Sequence, residues 1–289
     1  MGEAIASIPR RGLARPPALR WWAHSQLKKP LFGRFMKEWR WPQDVPADGW
    51  LPVRIASASH ASLAAIVKRT TVEPARGIVV CAHPMGLAAK GFWLRNGHAD
   101  ALLGEGFHVL AFDFNGFGES ASTNFDYTAD VLAAGRWAKD RFPGLPVHAL
   151  TASFGAMNTI SAMGLPGFAY ERVVAEGCAN SLPAFWKAYP FAYAMLELTR
   201  CISPGTERAL RPELQVARMP AHCRLLLIHS RADAWTPVQH GDRIAAAAPP
   251  GSRIERLVLQ GAEHTHGMRD ERDAYWPAVR RFLISAEVS

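Results

Sequence analysis

Three side chains in the second half of the chain have the types and the order that nucleophilic catalysis needs. Ser153, Asp233 and His264 each follow a short apolar run. A serine hydroxyl is a weak nucleophile at neutral pH and needs a neighbouring base. An imidazole is the usual base for this proton, which His264 would accept, and the Asp233 carboxylate would hold that imidazole in the correct tautomer. We therefore predict that Ser153 is a nucleophile, His264 its base and Asp233 the orienting acid.

The surroundings of Ser153 indicate a sharp turn from a strand into a helix. The segment 151–155, Thr-Ala-Ser-Phe-Gly, lies between an apolar run over 146–150 and a longer one over 156–164. Small residues suit a strained serine at a point where strand and helix nearly touch. The segment matches the G-x-S-x-G nucleophile elbow except that Thr151 replaces the first glycine. On its own the motif is better explained as an ordinary turn, so its interpretation depends on partners elsewhere.

Strand-like and helix-like stretches alternate from residue 77 onward. Apolar runs predict buried strands at 77–82, 107–112, 146–150, 172–178, 224–229 and 253–259, with helical stretches at 93–104, 127–141, 156–164, 237–248 and 270–284. Two earlier runs, 53–57 and 63–67, predict a hairpin. The pattern predicts an α/β fold with a mostly parallel, doubly wound sheet and helices on both faces. Ligands bind such sheets at the carboxyl ends of the strands, where the three candidate residues lie.

The order of the motifs resembles that of the α/β-hydrolases over roughly residues 50–286. The matching motifs are His-Pro-Met-Gly at 83–86, D-x-x-G-x-G-x-S at 113–120, the Ser153 elbow, Asp233 with Pro237 four residues later, and Gly261-x-x-His264. Each motif is weak alone, but five in this order, each after a strand, are specific. The chain departs from the family pattern at Thr151 and at Pro84. The resemblance implies an α/β-hydrolase fold and a serine esterase, lipase, thioesterase or acyltransferase activity.

Two of the assignments have rivals in the sequence. His266 lies in the same loop as His264, but His264 has the usual spacing after Gly261. Glu176 ends the preceding strand, where some members of the family place the acid, but no loop motif follows it, so Asp233 is preferred. Three other polar residues are expected to be structural: His83, Asp113 and His229.

The tetrahedral oxyanion of acyl transfer needs two preorganised N–H donors. The backbone N–H of Phe154, at the start of the elbow helix, is one candidate. Pro84 has no N–H, so the loop that begins at His83 would contribute the amide of Met85 instead. We therefore predict an oxyanion hole formed by Met85 and Phe154.

The segment 179–220 occupies the place where this family inserts a cap over the active site. We divide the chain into a basic, Trp-rich extension over 1–49 and an α/β-hydrolase domain over 50–289, with a small helical cap at about 179–220. The cap is rich in aromatic residues, although any single one of them is better explained as packing the cap onto the core. Candidates for an apolar acyl pocket are Phe185, Trp186, Tyr189, Phe191, Tyr193 and Met195. Of these, we predict a substrate pocket formed by Trp186, Tyr189, Phe191 and Tyr193.

We expect hydrolysis of an ester, thioester or lactone with an apolar acyl group through an acyl-Ser153 intermediate. One alternative keeps this intermediate but transfers the acyl group to an alcohol, amine or internal hydroxyl, as in an acyltransferase or a cyclising thioesterase. Another alternative is a non-catalytic ligand-binding protein on a hydrolase fold. No Gly-rich phosphate loop or metal-ligand spacing is present, so we expect no cofactor and no metal. The oligomeric state is not specified by the sequence.

Excess positive charge is concentrated in the N-terminal region. Nine of the 33 Lys and Arg residues but four of the 25 acidic residues lie in 1–50. No nucleic-acid-binding pattern is present, and a carrier protein or a coenzyme A thioester would fit a basic surface as the carrier of the acyl substrate. Amphipathic stretches at 19–41 are interpreted as an extension over the core or the active-site mouth, in preference to peripheral membrane contact. Four widely spaced cysteines, and the lack of an apolar run of 18 residues, suit a cytoplasmic protein.

Overall fold

The computed structural model describes residues 22, 24–26, 28, 29, 32–37, 39–187, 189, 190, 193, 194, 196–198, 208 and 211–285. Its centre is an eight-stranded sheet with the strand order 1-2-4-3-5-6-7-8. The strands are β1 Leu51–Ala56, β2 Ser62–Lys68, β3 Gly77–Ala82, β4 Phe107–Phe112, β5 Val147–Ala152, β6 Arg172–Glu176, β7 Arg224–Ser230 and β8 Arg253–Leu259. Strands β3 to β8 are parallel, whereas β2 pairs antiparallel with β1 and β4.

Helices cover both faces of the sheet. The helices are α1 Gly91–Arg95, α2 His98–Gly104, α3 Tyr127–Arg141, α4 Phe154–Ala162, α5 Leu182–Phe185, α6 Pro212–Gln215, α7 Val238–Ala246, α8 Gly267–Asp270 and α9 Arg272–Ile284. One buried cluster joins α3, α4 and α7 to the sheet, and a second joins α1, α2 and α9 to its other face. Burial on both sides explains why the central strands are continuous apolar runs rather than alternating ones. The predicted doubly wound architecture is confirmed.

The helix before β4 differs in detail from the predicted pattern. The helix expected over 93–104 is two helices, because Gly97 adopts a left-handed conformation with φ of 73° between them. Between β6 and β7, the described residues of the cap region form the short helices α5 and α6 and a 3₁₀ turn at Val216–Arg218. No helix in the described part of the chain is long and apolar enough to cross a membrane.

A buried ion pair network holds the loop after β4 beside the site. The Lys90 ammonium lies 2.6 Å from a carboxylate oxygen of Asp113 and 2.6 Å from one of Glu119. Asp113 also accepts hydrogen bonds from the backbone amides of Lys90, at 2.9 Å, and Glu119, at 3.0 Å. Each fully buried charge therefore has a partner, as low-dielectric surroundings require. Asp113 is structural, as its sequence context indicated.

Thr151, which replaces the usual glycine, is fully buried in β5. Its hydroxyl donates a 2.7 Å hydrogen bond to the backbone oxygen of Val174 in the neighbouring strand β6. The branched side chain therefore fits the strand, and the hydroxyl is satisfied locally. A threonine at this position ties the strand before the elbow to its neighbour.

We predict that Thr151→Gly folds but is less stable by about 2 kcal/mol, because it loses a hydrogen bond and gains unfolded-state freedom. Urea unfolding measures this loss. Thr151→Val, which keeps the shape and loses only the hydroxyl, should show about half of it. A Thr151→Gly chain that does not fold would contradict this description of the elbow.

Candidate active site

The turn between β5 and α4 places Ser153 at the carboxyl edge of the sheet. Its backbone has φ of 47° and ψ of −110°, a strained conformation for a residue with a side chain. Two backbone hydrogen bonds hold it: Ser153 N donates to the Glu176 carbonyl oxygen at 2.8 Å, and Met157 N donates to the Ser153 carbonyl oxygen at 2.9 Å. The strain raises the hydroxyl above the strand ends, as the elbow motif predicted.

Gly155 makes the closest approach in this turn. A β-carbon added there would lie 2.0 Å from the Ala82 carbonyl oxygen and 2.9 Å from that of His83. Both contacts are with the backbone, so neighbouring side chains could not move to make room. Only glycine fits between the end of β3 and the first turn of α4.

The three candidate catalytic residues form one continuous hydrogen-bonded line. His264 Nε2 lies 2.8 Å from Ser153 Oγ, and His264 Nδ1 lies 2.7 Å from Asp233 Oδ2. An ionised Asp233 can only accept a hydrogen bond, so the His264 proton belongs on Nδ1 and Nε2 is free to accept from the serine. The structure thus brings together the nucleophile, base and acid that the sequence predicted in three separate loops.

Asp233 is held by the loop that follows β7. Its Oδ1 accepts from the backbone amides of Trp235, at 2.8 Å, and Thr236, at 3.0 Å, and the Thr236 hydroxyl donates to Oδ2 at 2.6 Å. Burial alone would raise the pKa of Asp233. Hydrogen bonds from His264 and Thr236, together with the charge interaction with His264, instead hold this pKa well below its ordinary value. The carboxylate is therefore ionised at neutral pH.

The two backbone amides predicted to form an oxyanion hole are those of Phe154 and Met85. Phe154 N begins α4, and Met85 N follows the loop residue Pro84. The Phe154 and Met85 amides have no acceptor among the described residues. Both N–H groups are thus free to bind a charged oxygen.

His83 fixes the direction of the Met85 amide. The Phe114 N–H donates to His83 Nε2 at 3.2 Å, so the His83 proton lies on Nδ1, which donates to the Pro84 oxygen at 2.8 Å. The carbonyl and the N–H of one trans peptide point in opposite directions. Holding the Pro84 oxygen therefore also aims the Met85 N–H. His83 has the loop-bracing position that the sequence indicated.

Aromatic rings extend from the triad toward the cap, although not all are those predicted. Trp186 and Tyr189 contact each other, with ring centroids 5.5 Å apart. Tyr193 is exposed and makes no ring contact with the described residues, and Phe191 and Met195 lie outside them.

Phe185 and Trp235 complete this aromatic wall. Phe185 is one of the pocket candidates predicted from the sequence, whereas Trp235 is not. The Phe185 ring lies 6.1 Å from the His264 ring and stacks on Trp235 at 5.6 Å. Tyr189 also stacks on Trp235, at 6.1 Å and an angle of 12°. The position of Trp235 two residues after Asp233 was the available signal, because a residue in the acid loop must lie beside the base.

The rival residues occupy other positions. His266 Nδ1 lies 3.5 Å from a carboxylate oxygen of Glu263, in the outer part of the loop. Glu176 is buried behind the triad, and its Oε1 accepts from the Gly267 amide at 2.8 Å. That bond connects the end of β6 to the loop that holds His264.

Three side chains of that loop bring possible metal-ligand atoms together. Glu263, His266 and Asp270 have such atoms within 4.8 Å of one another in the described part of the chain. Arg269 forms ion pairs with Glu263, at 3.0 Å, and Asp270, at 2.5 Å. The guanidinium already neutralises both carboxylates, so the group is explained as an exposed ion pair network.

Glu176 generates a testable dependence of stability on pH. Burial raises the pKa of Glu176 to about 7, opposed by the hydrogen bond from Gly267, from an ordinary value of 4.5. Between pH 4.5 and about pH 7, the Glu176 carboxyl binds more protons in the folded state than in the unfolded state. The protein therefore loses stability through Glu176 as the pH rises through this range. We predict that Glu176→Gln removes this loss and is more stable, relative to wild type, at pH 8 than at pH 5.

Urea unfolding at pH 5, 6.5 and 8 measures this difference. The matched control is Glu171→Gln, which makes the same change at an exposed residue just before β6 and should shift stability equally at each pH. If the stability of Glu176→Gln and of wild type depended on pH in the same way, the raised pKa of the buried Glu176 carboxyl would be contradicted.

Comparison with known proteins identifies the family. The family model described as "Serine aminopeptidase, S33" matches residues 73–223, just over half of the chain. The chain is 28% identical to human protein ABHD12B over 195 residues, which is 62% of this chain and 52% of that protein. It thus spans about half the length of this relative.

Solved structures share the fold. The chain is similar to the esterase Pf2001 of Pyrococcus furiosus, with 18% identity, a TM-score of 0.66, and coverage of 86% of this chain and 97% of that one. It is also similar to a monoacylglycerol lipase of Paleococcus ferrophilus, with 18% identity, a TM-score of 0.59, and coverage of 77% and 98%. The predicted α/β-hydrolase fold is confirmed. This protein therefore belongs to the serine aminopeptidase S33 family, within the α/β-hydrolase superfamily of hydrolases.

Proposed function

We propose that the protein is a serine hydrolase that cleaves an ester, thioester or lactone with an apolar acyl group through an acyl-Ser153 intermediate. The hydrogen-bonded line from Ser153 through His264 to Asp233, with distances of 2.8 and 2.7 Å, is the observation that carries this proposal. An ordinary surface serine is not hydrogen-bonded to a histidine that a buried, ionised carboxylate orients. This arrangement is the one that activates a serine as a nucleophile.

In the first step Ser153 Oγ attacks the substrate carbonyl carbon while its proton passes to His264 Nε2. The new Oγ–C bond makes a tetrahedral intermediate, and its oxyanion accepts hydrogen bonds from Met85 N and Phe154 N. Each preorganised donor of this kind contributes about 3 kcal/mol to transition-state stabilisation. Asp233 stabilises the His264 imidazolium that forms.

In the second step the imidazolium protonates the leaving alcohol or thiol as its bond to the carbonyl carbon breaks. A water then gives a proton to His264 Nε2 and attacks the acyl-Ser153 carbonyl carbon. Collapse of the second tetrahedral intermediate returns the proton to Ser153 Oγ and releases a carboxylic acid. The free enzyme is regenerated with no change in oxidation state.

The aromatic wall supports an apolar substrate group. Trp235 is 40% exposed and stacks on both Phe185 and Tyr189. A substrate acyl or alkyl chain placed there would remove this exposed ring surface from water. The carbonyl of the same substrate would reach Ser153 between the wall and the oxyanion donors.

We predict that Ser153→Ala lowers turnover of p-nitrophenyl acyl esters at least about a thousandfold and abolishes labelling by a fluorophosphonate probe. Ser161→Ala is the matched control, since Ser161 is buried to the same 6% exposure on the elbow helix. It should keep both turnover and labelling. Product analysis with an added alcohol or amine separates transfer from hydrolysis. Unchanged turnover by Ser153→Ala would exclude the acyl-serine mechanism.

We predict that Trp235→Ala lowers kcat/KM for long acyl esters about tenfold relative to the acetyl ester, because it removes one side of the aromatic wall. The alanine keeps the backbone N–H that donates to Asp233. Rates for p-nitrophenyl esters of two to twelve carbons measure the effect. Trp22→Ala, at an exposed tryptophan of the N-terminal segment, is the control and should leave the chain-length profile unchanged. An equal loss for all chain lengths would contradict a substrate-binding role.

A further inference from the structure

The part of the chain that contains Lys28 and Phe32, which we call the N-terminal segment, packs both side chains near the elbow. Lys28 is fully buried and Phe32 is 5% exposed. Lys28 Nζ donates to the backbone oxygen of Asn115, at 3.3 Å, and to the side-chain oxygen of the same residue. It also lies 4.9 Å from the centroid of the Tyr127 ring. These contacts fix the segment to the loop after β4 and to the start of α3.

The ammonium of Lys28 remains charged in this position. Burial lowers the pKa of Lys28 to about 8, while the nearby Asp130 carboxylate acts to raise it. A buried charge without partners would be expensive, and here the Asn115 oxygens and the Tyr127 ring face surround it. The segment is therefore attached by a specific polar contact as well as by apolar burial.

Phe32 enters the aromatic cluster that surrounds Phe154. Its ring centroid lies 6.0 Å from that of Phe154, 6.0 Å from Phe117 and 6.1 Å from Tyr127, each in an edge-to-face arrangement. Such pairs are attractive beyond their burial and strongly directional. The Phe154 ring also contacts Phe114 at 5.2 Å and Tyr127 at 4.8 Å.

The same cluster supports both proposed oxyanion donors. Phe154 provides one amide directly. His83, which aims the Met85 amide, has its ring 5.2 Å from Phe114 and 5.5 Å from Phe117. We call this set the oxyanion cluster: Phe32, His83, Phe114, Phe117, Tyr127 and Phe154. Only Phe32 comes from the N-terminal segment.

We propose that the N-terminal segment is a positioning element for the oxyanion hole, in which Phe32, anchored through Lys28, holds the Phe154 ring and with it the two donor amides. The inference rests on the proposed function, because it concerns the donors of that reaction. An oxyanion donor is effective only at hydrogen-bond distance from the developing charge, so small displacements of α4 or of the His83 loop weaken it. Phe32 touches no reacting atom and acts through Phe154.

The test compares Phe32→Ala with wild type in steady-state kinetics on p-nitrophenyl butyrate. We expect kcat to fall about ten- to a hundredfold with KM within about twofold, because the lost interaction is made only in the transition state. Binding of an alkyl boronic acid, which forms a tetrahedral adduct on the nucleophile, should weaken by the same factor. If Phe32 contributed only to stability, kcat and the boronic acid affinity of the folded variant would equal those of wild type.

The matched control is Phe142→Ala. Phe142 is buried to 6% exposure but caps the opposite end of α3 from Tyr127, about 20 Å away along the helix. It should lose stability while keeping kcat and boronic acid affinity. Should Phe32→Ala fail to fold, Phe32→Leu preserves most of the volume and is expected to lower kcat about three- to tenfold at unchanged KM.

Wild-type kcat and boronic acid affinity in a folded Phe32 variant would overturn this inference alone. An equal loss of kcat in Phe142→Ala would also overturn it, because the effect would then be general. Turnover that survives Ser153→Ala would overturn the proposed function and this inference with it.

Discussion

The site depends on how closely α4 approaches the end of β3. Gly155 lies against the carbonyl oxygens of Ala82 and His83 with no space for a β-carbon. This approach forces the chain to turn within one residue, and Ser153 takes the strained backbone angles that result. It also brings the first amide of α4 toward the loop that begins at His83. Ser153, the proposed nucleophile, and both candidate oxyanion donors are thus arranged by one backbone contact.

Asp233, the proposed acid, is positioned independently of the elbow. Asp233 is held by two amides and a hydroxyl of its own loop, so its orientation does not require His264. His264, the proposed base, is then positioned from two sides, by the Asp233 carboxylate and by the bond between Glu176 and Gly267. A preorganised carboxylate and an anchored loop reduce the rearrangement needed when the histidine becomes charged.

Sequence reasoning was successful where the signal is local. Ser153, Asp233 and His264 each follow an apolar run, and parallel strands bring such ends to one edge, so the three could be grouped without coordinates. Ring contacts between distant segments carry no comparable signal. The contact of Phe32 with Phe154, and the stacking of Trp235 on Phe185, depend on how loops pack after the sheet has formed. Helix α3 was predicted at its observed bounds, whereas the break at Gly97 depended on a left-handed residue that the apolar pattern does not reveal.

The two glycine positions of the elbow motif have different physical requirements. Position 155 faces backbone and excludes every side chain, whereas position 151 faces the neighbouring strand and accepts a threonine whose hydroxyl bonds to Val174. A search pattern that demands glycine on both sides of the nucleophile would therefore overlook this chain. One that demands it only two residues after the serine, and allows small hydroxyl residues two before, would recover it. Sequences with Thr or Ser at the first position are candidates for the same strand-to-strand bond.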